Sequence, residues 1–262
     1  MNSGSVIQKS LSHLLRLVFP QVCCNCCREL PEADWGASTQ PAFCQACQAG
    51  LAPRYARRCL RCGAGINFAD PISDSAAGSQ TVFACPHCRR AKFAFQRCFS
   101  IGNYERRIRE AVLRIKTGNH DPLAAEMSKI LLAQLEGEAY DLVLPIPIHW
   151  RRRLGRPTVV SELVAERISR WLKIPYAPNV LRYSRLTRKQ GMLATTERKK
   201  NLKNSIYVRK RFRIENRKLL LVDDVMTSGA TLHEAATACL KTGARSVDVA
   251  VLARGIGRSM NG

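Results

Sequence analysis

The sequence predicts an α/β protein, a parallel sheet flanked by helices, with a small cysteine-rich module in front of it. After residue 95, short apolar runs alternate with amphipathic stripes, the order that gives a parallel sheet with helices on both faces. Eleven of the 12 cysteines lie before residue 99. We therefore divide the chain into an N-terminal amphipathic helix (1–22), a double zinc-ribbon domain (23–94) and an α/β domain (95–262).

Composition excludes two classes of protein and points to an anionic partner. A hydrophobic content of 46% excludes a fully disordered chain. No stretch approaches the roughly 20 apolar residues of a transmembrane helix. Lys and Arg number 42 against 20 Asp and Glu, a net charge of +22. Residues 182–218 alone hold fourteen basic side chains and two acids. A solvated basic face is the alternative, but this density favours binding of a polyanion such as nucleic acid.

The N-terminal segment has the pattern of an amphipathic helix that packs on the rest of the protein or on a partner. Residues 6–19 are apolar at helical spacing, but His13 and Arg16 interrupt them, and no small-residue cleavage site follows. This pattern is not that of a secretory signal peptide. We therefore expect a cytoplasmic protein, in which C-x-x-C pairs bind metal rather than form disulfides.

Eight cysteines form four C-x-x-C pairs, the spacing of four-thiolate zinc sites. The predicted ligands are Cys24, Cys27, Cys44, Cys47, Cys59, Cys62, Cys85 and Cys88. Cys23 and Cys26 are an equal alternative to the first pair. Two structural zinc ions are expected, and both sequential ribbons and a cross-brace satisfy the spacing. Gly63, directly after Cys62, fits a knuckle that requires a positive φ.

The α/β region contains strands and helices in alternation. Its predicted strands cover 95–104, 141–148, 218–225 and 246–253, and its predicted helices cover 105–116, 122–135, 161–172 and 230–242. Lys218 begins the run KLLLVDDV, which leads through Asp223 and Asp224 into Thr227, Ser228, Gly229, Ala230 and Thr231 at a helix start. Ligands bind at the carboxyl ends of such strands. The acids suit ribose hydroxyls, and the small residues suit a 5-phosphate at a helix N-terminus.

With these motifs, the chain resembles the ComF family, whose domain is of the type I phosphoribosyltransferase kind. The resemblance rests on the four C-x-x-C pairs, Tyr104 with Lys116, the VLPIPI strand, Gln190 with Arg198 and Asn201, and the DDVMTSGAT loop. It implies that Asp223 and Asp224 bind the ribose hydroxyls and are also the candidate catalytic residues. It further implies that Thr227 to Thr231 surround the 5-phosphate. The pyrophosphate side would be lined by Lys116, Ile148, Arg151, Arg152 and Arg156. Mg²⁺ would enter with phosphoribosyl pyrophosphate rather than through a protein cage.

The resemblance further implies a role in natural transformation, with single-stranded DNA and other competence proteins as partners. The candidate DNA-contacting residues are Arg182, Arg185, Arg188, Lys189, Gln190, Arg198, Lys199, Lys200 and Lys203, with Tyr176, Tyr183, Tyr207 and Phe212 able to stack on bases. The alternative is an active phosphoribosyltransferase of nucleotide or base salvage. One departure counts against it. The family usually has Arg-Gly-Phe-Asn-Gln where this chain has Arg156 followed by Pro157, Thr158, Val159 and Val160.

Overall fold

The computed structural model describes residues 20–30, 43–66, 85–118, 121–148, 159–185, 202 and 204–256. The helix predicted over residues 6–19 lies outside this part of the chain. Within the described part, no helix combines the length and the apolar character that crossing a bilayer requires.

The predicted α/β class is confirmed, and the predicted elements appear with boundaries shifted by a few residues. In chain order the elements are α1 Gln45–Leu51, β1 Arg57–Arg58, β2 Gly65–Ile66, β3 Cys98–Asn103, α2 Arg106–Thr117, α3 Asp121–Leu132, β4 Leu142–Pro145, α4 Val160–Leu172, β5 Leu181–Tyr183, β6 Ile206–Val208, β7 Lys218–Met226, α5 Ala230–Lys241 and β8 Ser246–Arg254.

Four of these strands form one parallel sheet in the order β3-β8-β7-β4. Every residue of β8 is buried, as expected for an inner strand covered on both faces. Leu221 of β7 pairs with Leu144 of β4 on one side and Val249 of β8 on the other. This parallel arrangement brings the carboxyl ends of β4 and β7 together at one edge of the sheet.

Alternate residues of β7 pack into two separate cores. Leu220 and Val222 pack with the apolar stripes of α2, α3 and α4 on one face. Leu219 and Leu221 pack with α5 and with the β5–β6 hairpin on the other face. This period-2 alternation is what a central strand with covered faces requires.

The cysteine-rich segments share these cores instead of forming a detached module. Cys23, Cys44 and Cys47 belong to the core that contains α2 to α4. Cys59, Cys62, Cys85 and Cys88 belong to the core that contains α5. The two groups of cysteines thus pack on opposite faces of the sheet, and the predicted division near residue 94 stays a prediction.

The edge strand β3 is covered by the segment that precedes it. The Ser100 hydroxyl donates to the Gly63 carbonyl, and the Gly65 amide donates to Asn103 Oδ1 at 3.0 Å. Covering an edge in this way removes a template for unwanted strand pairing.

Candidate functional site

A cavity of about 330 Å³ opens at the carboxyl ends of β4 and β7. Its volume lies in the range of small-molecule sites, about 300–1,000 Å³. It is lined by Lys116, Ile146, Pro147, Ile148, Ser161, Tyr183 and every residue from Asp223 to Leu232. The structure therefore brings together the acids, the loop, Lys116 and Ile148, which are far apart in the sequence.

The loop between β7 and α5, residues 227–229, turns the chain sharply toward the cavity. Gly229 adopts a φ of 73° immediately before the first residue of α5, Ala230. A β-carbon at Gly229 would lie 2.7 Å from Phe93 Cε1 and 2.8 Å from Met226 Cε, so both conformation and space require glycine. The N-terminus of α5 thereby faces the cavity, and its dipole favours an anion there.

Two acids near the end of β7 lie beside a lysine of α2 in the cavity. Lys116 Nζ lies 2.9 Å from Asp224 Oδ2, and Asp223 Oδ1 accepts the Asp224 amide at 2.8 Å. Asp223 keeps partial contact with solvent. Burial and the adjacent Asp224 carboxylate nevertheless raise the pKa of Asp223 to about 8. Such a group favours a ligand that brings hydroxyl donors or a cation to it.

Arg254, which sequence reasoning missed, braces the loop from beneath. The side chain is 4% exposed, and its Nη1 donates to the Met226 carbonyl at 2.9 Å and to the carbonyls of Thr227 and Gly255. The pairing of Met226 with Arg254 across β7 and β8 places it there. These hydrogen bonds tie the end of β8 to the end of β7 and to the loop that follows it.

The eight clustered cysteines form two compact groups. One contains Cys23, Cys26, Cys44 and Cys47, and the other contains Cys59, Cys62, Cys85 and Cys88, with all Sγ atoms of a group within 4.8 Å of one another. The pairing is sequential, which excludes the cross-brace for these groups. All twelve cysteines fall within the described residues, and each is free of disulfide bonds.

The Sγ separations fit a tetrahedral zinc site. Zn–S bonds of about 2.3 Å place the sulfurs of a tetrahedron about 3.8 Å apart. Cys26 and Cys44 are separated by 3.7 Å, Cys59 and Cys88 by 3.6 Å, and Cys85 and Cys88 by 3.8 Å. Both groups could therefore bind a structural zinc, and four thiolates leave no open position for catalysis.

The structure corrects the first predicted pair, because Cys23 and Cys26 join the group in place of Cys24 and Cys27. The residue after a knuckle adopts a left-handed conformation, as Gly63 does after Cys62 with a φ of 73°. Cys27 has a φ of 59° and donates its amide to the Cys23 carbonyl at 2.9 Å. Gly63 donates likewise to Cys59 at 2.7 Å. Cys27 thus stands where the glycine of the other knuckle stands, and Cys24 packs on the apolar core.

Comparison with known proteins agrees with the geometry. Residues 157–261 match the phosphoribosyl transferase domain family. DNA utilization protein YhgH of Shigella flexneri is 25% identical over 82% of this chain and 98% of its own length. Competence protein F of Haemophilus influenzae is 27% identical over 65% of this chain and 78% of its own. These similarities support the assignment to the ComF family.

Among solved structures, the purine phosphoribosyltransferase from Pyrococcus horikoshii aligns with 50% of this chain and 73% of its own, at 17% identity and a TM-score of 0.34.

Part of the predicted basic surface lies on the β5–β6 hairpin. Arg182 is paired in register with Tyr207, whose side chain is 46% exposed. Arg209, Lys210, Arg211 and Arg213 follow β6 in a turn, here called the basic turn (residues 209–213). The Arg211 guanidinium lies 4.9 Å from the Phe212 ring centroid. The hairpin and the basic turn thus place several cations near an exposed aromatic side chain, that of Tyr207.

The other predicted anion-binding residues lie outside the described part of the chain. They are Arg151, Arg152, Arg156, Arg188, Lys189, Gln190, Arg198, Lys199, Lys200 and Lys203. Arg185 is described and follows β5. The basic turn lies within the segment 182–218 that the sequence predicts to bind a polyanion, although its residues are not among the individually named DNA-contacting residues.

Proposed function

We propose that this chain handles incoming single-stranded DNA during natural transformation, and that its cavity binds phosphoribosyl pyrophosphate. One observation supports this choice of ligand. Lys116, the Asp223–Asp224 pair and the N-terminus of α5 all line the same cavity. A ribose 5-phosphate needs hydroxyl acceptors at one end and an anion site at the other. The cavity offers both chemistries, because Asp223, Asp224 and the N-terminus of α5 all line it.

Each wall has a distinct part in binding. The Asp223 and Asp224 carboxylates accept hydrogen bonds from the ribose hydroxyls, and residues 227–231 surround the 5-phosphate. Lys116 neutralises the pyrophosphate from the wall formed by α2, beside Ile148. Mg²⁺ that arrives with the ligand would neutralise further charge on the pyrophosphate oxygens.

Ligand binding is tested by thermal shift and calorimetry with phosphoribosyl pyrophosphate and Mg²⁺. We expect a clear stabilisation of the unaltered chain and its loss in the double variant Asp223→Asn with Asp224→Asn. The matched control is Asp121→Asn with Asp141→Asn, two acids outside the cavity. No shift in the unaltered protein, or an equal shift in both double variants, would contradict the assignment.

The DNA-handling part rests on the names of the relatives and on the basic hairpin. Arg182, Tyr207 and the basic turn combine cations for phosphates with a ring on which bases can stack. Tyr183 of the same hairpin lines the cavity, so the proposed DNA surface adjoins the proposed ligand site.

DNA binding is tested by fluorescence anisotropy with a single-stranded oligonucleotide over a range of salt. We expect Arg211→Glu with Arg213→Glu to weaken binding and to reduce the logarithmic salt slope by about 0.7 per lost phosphate contact. Arg109→Glu with Arg170→Glu makes the same change of net charge elsewhere. Equal loss in both variants would mean that only net charge matters, and a binding curve insensitive to salt would reject the proposal.

Turnover of the ligand is the second candidate function, favoured by the complete Asp223–Thr231 loop. An acceptor nitrogen would form the bond to C1 of ribose as the C1–O bond breaks and pyrophosphate leaves. We expect no release of pyrophosphate with any nucleobase, because Pro157 and its neighbours replace the family's Gly and amide side chains. Release stimulated by one base would establish the enzyme instead.

A further inference from the structure

We infer that Phe93 is a positioning residue for the phosphate loop, and that through it the second cysteine group (Cys59, Cys62, Cys85, Cys88) controls binding in the cavity. The inference rests on the proposed ligand site. Phe93 follows this cysteine group in the chain and lies under the loop on the same face of the sheet. No cavity residue other than those of the loop itself needs to move for such a coupling to operate.

The contact with the loop is direct. A β-carbon at Gly229 would lie 2.7 Å from Phe93 Cε1, so the ring is seated against the backbone where the loop becomes α5. Gly229 holds the left-handed conformation that aims the helix N-terminus at the cavity. A ring in this position limits how far the loop can retreat, because protein interiors have little free volume.

The other side of Phe93 is held by the cysteine segments. Its ring stacks on Phe95 with centroids 4.7 Å apart, and the Arg61 guanidinium lies 5.7 Å from its centroid. Arg61, which lies between Cys59 and Cys62, donates to the carbonyls of Cys88 and Ala91. The arginine thus ties both C-x-x-C turns to the chain that carries Phe93.

A second path connects the same group to the loop. Cys98 Sγ lies 3.6 Å from Met226 Sδ, and the Cys98 amide donates to the Leu60 carbonyl at 2.8 Å. Met226 is the last residue of β7. Two residues tied to one cysteine group, Phe93 and Cys98, therefore contact Gly229 in the loop and Met226 immediately before it. The first group packs on the other face of the sheet and makes no such contact among the described residues.

Hydrogen exchange and ligand affinity test the role of Phe93 in the full, zinc-loaded chain. In Phe93→Ala we expect faster amide exchange over residues 226–232 without ligand. We also expect the Kd for phosphoribosyl pyrophosphate to rise about tenfold, a common size for coupling between sites. Phe93→Leu should restore most of both, with zinc content unchanged. Phe43→Ala, a large-to-small change beside the first cysteine group, should alter neither.

Unchanged exchange and affinity in Phe93→Ala would overturn the inference, as would an equal effect of Phe43→Ala. The exchange comparison needs no ligand, so it decides the inference even if phosphoribosyl pyrophosphate fails to bind. Failure of the unaltered chain to bind would instead reject the proposed function. The two failures are therefore distinguishable.

Zinc affinity provides a second measurement that needs no change at Phe93. Coupling between binding sites is reciprocal, so the ligand must raise the affinity of the second group for zinc by the same factor. A Cys26→Ser chain retains only the second group intact, and a Cys88→Ser chain retains only the first. We expect phosphoribosyl pyrophosphate with Mg²⁺ to lower the zinc Kd, measured by equilibrium competition with a zinc-selective chelator, at least about fivefold in the former and not in the latter. Equal changes in both, or none in either, would overturn the inference.

Discussion

The Lys116 ammonium, in the last turn of α2, lies 2.9 Å from the Asp224 carboxylate at the end of β7. This ion pair joins the two walls of the cavity across a long separation in sequence. Both side chains are about one-quarter exposed, so the pair contributes little to stability, about 0–1 kcal/mol. Its position indicates a role with ligand, when the lysine can turn from the acid to an incoming phosphate.

Lys116→Met is therefore expected to weaken binding of phosphoribosyl pyrophosphate about tenfold or more, a loss of roughly 1.4 kcal/mol or more. The thermal midpoint without ligand should change little. Calorimetry measures the affinity, and Lys129→Met on the outside of α3 serves as control. Similar losses in the two variants would show that Lys116 acts only through net charge.

The titration of Asp223 should be visible in the stability of the ligand-free protein. Its pKa is raised from 3.8 to about 8, so the folded state holds a proton that the unfolded state has released. The stability from this proton is complete below about pH 4 and is lost as the pH rises to about 8. Asp223→Asn removes the titration. The variant should be more stable than the unaltered chain by an amount that grows between pH 6 and 8 and then levels off.

Thermal midpoints of the two proteins from pH 6 to pH 9 test this prediction. Both contain the same cysteines, so the pH dependence of metal binding cancels in the comparison. A difference that stays constant over the range would contradict the raised pKa of Asp223.

The two cysteine groups predict a specific pattern of zinc loss. The unaltered chain should contain two zinc ions, and Cys23→Ser should contain one because it removes a ligand of the first group. Cys24→Ser should still contain two, since that thiol packs on the core outside the group. Elemental analysis of the purified proteins decides between them. One zinc in Cys24→Ser together with two in Cys23→Ser would restore the pairing expected from the sequence.

The choice between these neighbouring cysteines illustrates what the sequence could and could not predict. C-x-x-C spacing is identical for Cys23 with Cys26 and for Cys24 with Cys27. Only the backbone distinguishes them, because the left-handed residue after the knuckle is Cys27. In the second group the corresponding residue is Gly63, and a glycine at this place predicts a positive φ, which was confirmed. A cysteine in the same position gives no such signal.

The sheet was predictable because β4, β7 and β8 are largely apolar runs. The phosphate loop was predictable because two adjacent acids, Asp223 and Asp224, follow the apolar run of β7. The β5–β6 hairpin was missed because its strands have three residues each and lie within the basic segment. Their pairing, Tyr183 with Ile206, is non-local and leaves no periodicity to detect. The bracing by Arg254 depends on the register of β8 against β7, which a single sequence does not contain.

A final prediction concerns Arg254 and distinguishes its structural role in holding the loop from its contribution to net charge. Its side chain is buried and satisfies the carbonyls of Met226, Thr227 and Gly255. Arg254→Met retains much of the bulk but removes all three hydrogen bonds. The Met226 carbonyl keeps the Gly255 amide at 2.8 Å, whereas the carbonyls of Thr227 and Gly255 lose this donor, at a cost of about 1–3 kcal/mol for a buried acceptor left unsatisfied. We expect a clear fall in the free energy of unfolding, measured by urea denaturation, and weaker binding of phosphoribosyl pyrophosphate. Arg245→Met makes the same chemical change at an exposed arginine, 3.5 Å from Asp141, and should cost under about 1 kcal/mol. Because the two variants lose the same charge, equal effects on unfolding and on binding would mean that Arg254 contributes only to the overall charge and does not hold the loop.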